Sequence, residues 1–164
     1  METTAATALW FLPFVVPIAI WVAWSDMKFM KIPNKAVLAL AAVFLVVGPI
    51  ALPLAEWGWR WTHLAVVLVI GFLMSMATMI GAGDAKFAAA MAPFIALGDL
   101  GLFMGLLAAA LLGAFLAHRL LRAWPAFRNA TPDWVSWTHH KFPMGLALGG
   151  ALVMYLVAAL RFGA

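Results

Sequence analysis

The chain has 164 residues, of which 67% are hydrophobic and only 10% charged, with a mean hydropathy of +1.06. Soluble domains run at about 45–50% apolar and 25% charged residues, so this composition excludes an ordinary water-soluble domain. The net charge of +4 comes from basic residues scattered through short loops, which excludes a nucleic-acid-binding patch, and the absence of cysteine excludes disulfides and a thiol nucleophile.

Apolar stretches of roughly 18 residues or more recur between short polar clusters, the length needed to cross a bilayer core about 30 Å thick. Six spans are predicted, at about 7–25, 36–54, 62–80, 84–98, 100–118 and 143–162. The first begins after Glu2, with no early Lys or Arg, and runs into Ser25 and Asp26 without an A-x-A-like site, unlike a removable signal peptide. The turn that follows reads SDMKFMKIPN, where Pro33 disfavours a helical Ile32 and Asn34 is expected to cap the second span. The third span gives way to GAGDAKF, where Gly81 and Gly83 permit close approaches that a side chain would block. The fourth span is short, and is expected to start at this interruption and to be partly buried by its neighbours. After the fifth, the longest polar stretch runs from His118 to Phe142, through Pro125, Pro132, Trp134 and Trp137. It is too short for a separate domain and reads as a loop lying partly on the membrane surface. The sixth opens on FPMGLALGG. The expected fold is therefore all-α, a polytopic membrane protein with about six transmembrane helices.

Orientation follows from the basic residues, which are retained in cytoplasmic loops. One side collects Lys28, Lys31, Lys35, Lys86, Arg119, Arg122, Arg128 and Lys141, the other only Arg60 and Arg161. Both termini are thus predicted to be periplasmic. Trp10, Trp24, Trp57, Trp59, Trp61, Trp124, Trp134 and Trp137 cluster near span ends, where an amphipathic ring suits the headgroup layer.

This topology sorts the six acidic residues, with Glu2, Glu56 and Asp99 outside and Asp26, Asp84 and Asp133 at the cytoplasmic side. Taken singly, Asp26 reads equally as a marker of the water boundary, and Asp84 as the N-cap of a helix after a flexible turn. Together they lie at one membrane depth, each at a span end within unusual local sequence. Two carboxyls brought within a few Å do not both ionise easily, so one acts as acid and the other as base on a water. Peptide hydrolysis needs that division of labour.

Asp26 followed by Ile32, Pro33 and Asn34, then GAGDAK from Gly81 to Lys86, and finally Pro143, Gly145 and Ala147 at the start of the last span, together resemble the prepilin peptidase family of GxGD intramembrane aspartic proteases. The resemblance spans nearly the whole chain and implies one membrane-embedded peptidase domain over residues 1–164, with no cofactor. It makes Asp26 and Asp84 the catalytic pair, and prepilins and pseudopilins the substrates, cut at the cytoplasmic side of a bacterial inner membrane. Longer members carry an N-terminal methyltransferase region with paired zinc-binding cysteines; with no cysteine here, N-methylation is not expected. The short form is similar to the dedicated peptidases of Flp-type, tight-adherence pili, and more distantly to archaeal preflagellin peptidases.

Around the pair, Gly81 and Gly83 are expected to let the substrate backbone approach and Pro33 and Asn34 to fix the turn that holds Asp26, while Pro143 and Gly145 read equally as shaping a substrate cleft or as an ordinary helix start. Lys86, like Lys28, Lys31 and Lys35, contacts the prepilin leader or anionic lipid headgroups, or serves topology alone. Adjacent His139 and His140 point to different sides of a helix, and His63 lies at the other face, so no metal site is expected. Ser25 and Ser75 lack a base at matching depth, and Met74, Met76 and Met79 read as apolar filler. Two other classes stay open: a small transporter, for which intramembrane acids are a common mark, and a pilus assembly protein of the same fold that binds pilins without cutting them.

Overall fold

A computed structural model describes residues 1–139 and 141–163. The described chain is helical throughout: α1 Ala5–Phe29, α2 Asn34–Ala51, α3 Leu54–Met76, α4 Ala82–Met91, α5 Leu100–Ala123, α6 Pro125–Ala130 and α7 Gly145–Phe162, with short 3₁₀ turns at Ala92–Phe94, Leu97–Asp99 and Val135–Trp137. Five helices, α1, α2, α3, α5 with its preceding turn, and α7, are long and apolar enough to cross a membrane. Their outer faces are apolar, as on α3, where Val66, Val69, Ile70, Phe72 and Leu73 are each more than half exposed. Such a surface requires a hydrocarbon solvent. The chain is a multi-pass membrane protein.

The fourth expected span takes another form. Rather than one helix over 84–98, the chain returns through the ten residues of α4 and two 3₁₀ turns, with Met91 to Ala96 all buried. Pro93 has no N–H to continue an α-helix, so the ladder tightens and breaks there. Broken backbone at this depth is tolerated only where protein satisfies it. Arg60, 2% exposed, does so from α3: Nη1 donates to the carbonyls of Pro93 at 3.3 Å and Phe94 at 3.2 Å, while Nη2 donates to Glu56 at 2.6 Å. Phe94 completes an aromatic core with Phe11 and Phe44, its ring centroid 4.8 and 5.2 Å from theirs.

Helices α1 and α7 form the central pair. Their approach depends on two glycines one turn apart. A Cβ on Gly149 would lie 3.1 Å from the Cβ of Ala19, and one on Gly145 would lie 2.9 Å from the Cβ of Asp26. Small residues at helix spacing are the usual way for membrane helices to pack backbone against backbone.

The end of the bundle opposite Asp26 is sealed by the chain's first residues. Asp99 accepts from the backbone N–H groups of Glu2 at 2.8 Å and Thr3 at 3.0 Å, and from the hydroxyl of fully buried Tyr155 at 2.7 Å. Gly163 packs against Thr3 and Ala5 there, so both ends of the described chain share one end of the bundle. At the other end the expected cap is corrected. Pro33 occupies the N-cap of α2, and Asn34 is already helical and makes no capping bond. Only the residue before the helix has the extended backbone that lets a side chain turn back onto the free amides. Asn34 Oδ1 instead accepts from Lys86 Nζ at 3.4 Å.

Candidate active site

Asp26 lies in the last turn of α1 and is 5% exposed. Helix α1 stops because Met30 adopts a left-handed conformation, φ 54°, with its N–H on the carbonyl of Asp26 at 2.9 Å. The chain then folds back beneath Asp26. The hydroxyl of Ser25 donates to the carbonyl of Lys31 at 2.9 Å, Ile32 is buried, and Pro33 holds the extended backbone into α2. The carboxylate therefore projects from a turn tied down on both sides.

Its partner comes from the far end of the sequence. Asp26 Oδ2 accepts from the backbone N–H of Gly145 at 2.7 Å, the first residue of α7. The opening amides of a helix have no partner within the helix, and its dipole places partial positive charge there, so a carboxylate is well matched to this position.

Asp84 stands in the first turn of α4, again at a helix N-terminus. Its carboxylate bends back to the N–H of Gly81 at the N-cap, as an acidic residue does in a capping box. It is therefore not itself the N-cap. The side-chain space over Gly81 is filled by this carboxylate, and a Cβ on Gly83 would lie 3.4 Å from that of Ile32. Gly83 thus lets the turn after α1 and the first turn of α4 close on one another, and Gly81 leaves room for the Asp84 carboxylate.

Between these turns opens a cavity of about 530 Å³, lined by Ser25, Asp26, Phe29 to Asn34, Gly81 to Asp84, and Lys86. Both carboxylates reach it. Asp84 lies outside the five long helices, and its carboxyl is pushed up to about 6, first by burial and then by the nearby Asp26; the Gly81 N–H and Lys141 pull the other way. A carboxyl near that value exchanges its proton around neutral pH.

Of the residues singled out in the sequence, Asp26, Asp84, Gly81, Gly83, Pro33, Asn34 and Lys86 line this cavity. Pro143 and Gly145 are buried and not on its wall, with Gly145 touching Asp26 rather than open space. Lys31 is on the cavity wall, whereas Lys28 is turned aside to Asp133, 3.0 Å away. His139 Nδ1 accepts from the N–H of Lys141 at 3.1 Å, and His140 lies outside the described residues. Among the described residues no group of three His, Cys, Asp or Glu side chains gathers to hold a metal. Sequence reasoning did not anticipate the closeness of Lys141 to Asp84 or the hold of Gly145 on Asp26. Each joins residues far apart in the chain, which no local spacing reveals.

The sequence model of the type IV leader peptidase family matches residues 13–118, a stretch that carries both Asp26 and Asp84 and ends before α7. Comparison with curated proteins gives no match. Comparison with solved structures gives none either.

Proposed function

Since the chain belongs to the type IV leader peptidase family, we propose that it is an aspartic endopeptidase that removes the leader peptides of Flp-type prepilins and pseudopilins, with Asp26 and Asp84 as its catalytic pair. The observation that carries this reading is the placement of two carboxylates, each at a helix N-terminus, on the wall of one cavity. Nothing in the fold of either turn alone requires the other acid.

The chemistry follows from the pairing. Two carboxyls on the wall of one cavity that feel each other's charge ionise together reluctantly, so one is ionised while the other keeps its proton. The ionised member takes a proton from a water as the water oxygen attacks the scissile carbonyl carbon. The protonated member gives its proton toward the leaving amide nitrogen, and the C–N bond breaks. The leader leaves with a new carboxylate and the mature pilin with a new amine. This scheme requires no resident cofactor. The whole chain acts as a single membrane-embedded domain of a bacterial inner membrane, with the Asp26 end facing the cytoplasm, as the distribution of Lys and Arg suggests. Lys86 and Lys31 on the cavity wall are suited to hold the polar part of the substrate.

The test is cleavage of a co-reconstituted Flp-type prepilin, followed by mass, for the parent chain and for Asp26→Asn, Asp84→Asn and Asp133→Asn. Loss of cleavage in the first two alone is the expected result. Equal cleavage by all four proteins would sink the aspartic mechanism, and a parent that binds prepilin without cutting it would mark an assembly factor.

A further inference from the structure

Resting on that reading, we infer that Gly145 is a positioning residue whose backbone N–H makes Asp26 the ionised member of the pair and aims its free oxygen at the attacking water.

Three observations converge on this. The first is the bond itself, from the N–H of Gly145 to Asp26 Oδ2 at 2.7 Å, in the range of charge-assisted hydrogen bonds. An N–H can only donate, so it favours the carboxylate over the protonated acid. The second is where this N–H stands. Gly145 is the first residue of α7, an 18-residue helix, so its amide belongs to the unpaired opening turn where the dipole adds to the attraction for a negative charge. Asp84 takes its backbone bond from Gly81 at the head of the ten-residue α4; Gly81 and Lys141 favour its charged form, but burial and the neighbouring Asp26 outweigh them. Of two neighbouring acids, the one with the stronger fixed donor ionises first, and its charge then keeps the proton on the other.

The third observation is steric. A Cβ at position 145 would lie 2.9 Å from Asp26 Cβ, 3.1 Å from Asp26 Oδ2 and 3.1 Å from Val22 Cγ1, so only glycine brings this amide to this carboxylate without displacing it. With Oδ2 engaged, Oδ1 has no hydrogen-bond partner among the described residues, and Asp26 lines the cavity. Oδ1 is the atom that receives the water's proton. Gly145 never touches the substrate in this arrangement; it acts through Asp26.

The experiment is the pH dependence of kcat/KM for prepilin cleavage by the full chain in proteoliposomes, with glycolate in place of Gly145 so that an ester oxygen replaces the N–H at nearly unchanged shape. The acid limb, which reports ionisation of the base, should move up by about one pH unit. Gly145→Ala keeps the N–H but pushes the carboxylate from it, so its limb should move by less than half as much as in the ester chain, while kcat falls about tenfold and KM stays within about twofold. If the ester chain does not fold, Gly145→Pro set against Gly145→Ala makes the same comparison, since proline lacks the N–H and is accommodated at a first helical position. An unmoved limb on loss of the N–H, or an equal movement in Gly145→Ala, overturns the inference. Asp26→Asn in the same assay separates the two levels: an active Asp26→Asn defeats the aspartic reading, whereas an inactive one with an unmoved limb defeats only the role of Gly145.

Discussion

Lys28 Nζ lies 3.0 Å from a carboxylate oxygen of Asp133, joining the last turn of α1, two residues beyond Asp26, to the segment between α6 and α7. Lys28 also lies over the rings of Trp24 and Phe29, 5.6 and 5.4 Å from their centroids. Yet the side chains of Lys28 and Asp133 are 28% and 61% exposed, and an ion pair so open to solvent gains little. Asp133→Asn should therefore leave prepilin cleavage within about twofold of the parent at moderate salt. A larger loss in single-turnover cleavage would mean that this tie holds the site together.

Asp84 gives a pH signature independent of catalysis. Its carboxyl is raised from an ordinary value of 3.8 to about 6, chiefly by burial and then by Asp26. Between those two values the folded chain holds a proton that the unfolded chain has released, so this residue's contribution to stability falls as pH rises through the window. Asp84→Asn fixes the neutral form. Thermal unfolding in detergent should show the variant more stable than the parent above about pH 6, with the advantage vanishing toward pH 4. A difference independent of pH would place the charge of Asp84 in a better-solvated setting.

Arg60 supports the broken passage between α4 and α5. Removing its side chain strands the carbonyls of Pro93 and Phe94, and a buried unsatisfied group costs about 1–3 kcal/mol. Arg60→Ala should accordingly lower unfolding stability by about 2–4 kcal/mol. Glu56, whose side chain is 44% exposed, should cost under about 1 kcal/mol as Glu56→Gln. Equal effects of the two changes, read by equilibrium unfolding in mixed micelles, would show that the ion pair rather than the carbonyl bonds carries the role of Arg60.

The contrast between Asp26 and Arg60 shows what a sequence discloses. Asp26, Pro33, Gly81 and Asp84 lie in short runs of unusual residues at span ends, and length and hydropathy sufficed to set both acids at one end of the bundle. The five long helices were readable for the same reason, since crossing a hydrocarbon layer imposes a length. Arg60 looked like a boundary charge and proved to be a buried donor, because the need it meets is created by Pro93 in another segment. Asp99 likewise read as an outer-face acid, yet it binds the backbone of Glu2 and Thr3. Asn34 had the composition of a cap but stood one residue too late to act as one. Such partners are set by how helices dock, which periodicity within a single helix does not encode.

The bond from Gly145 to Asp26 joins residues 119 positions apart. As the chain is synthesised, α1 and α4 are made well before α7, so the amide that holds Asp26 arrives after both acids. On the proposed pairing, the arrangement is complete only once α7 has entered the bilayer, and a nascent chain interrupted before that point holds both acids without the donor that sets Asp26 in place.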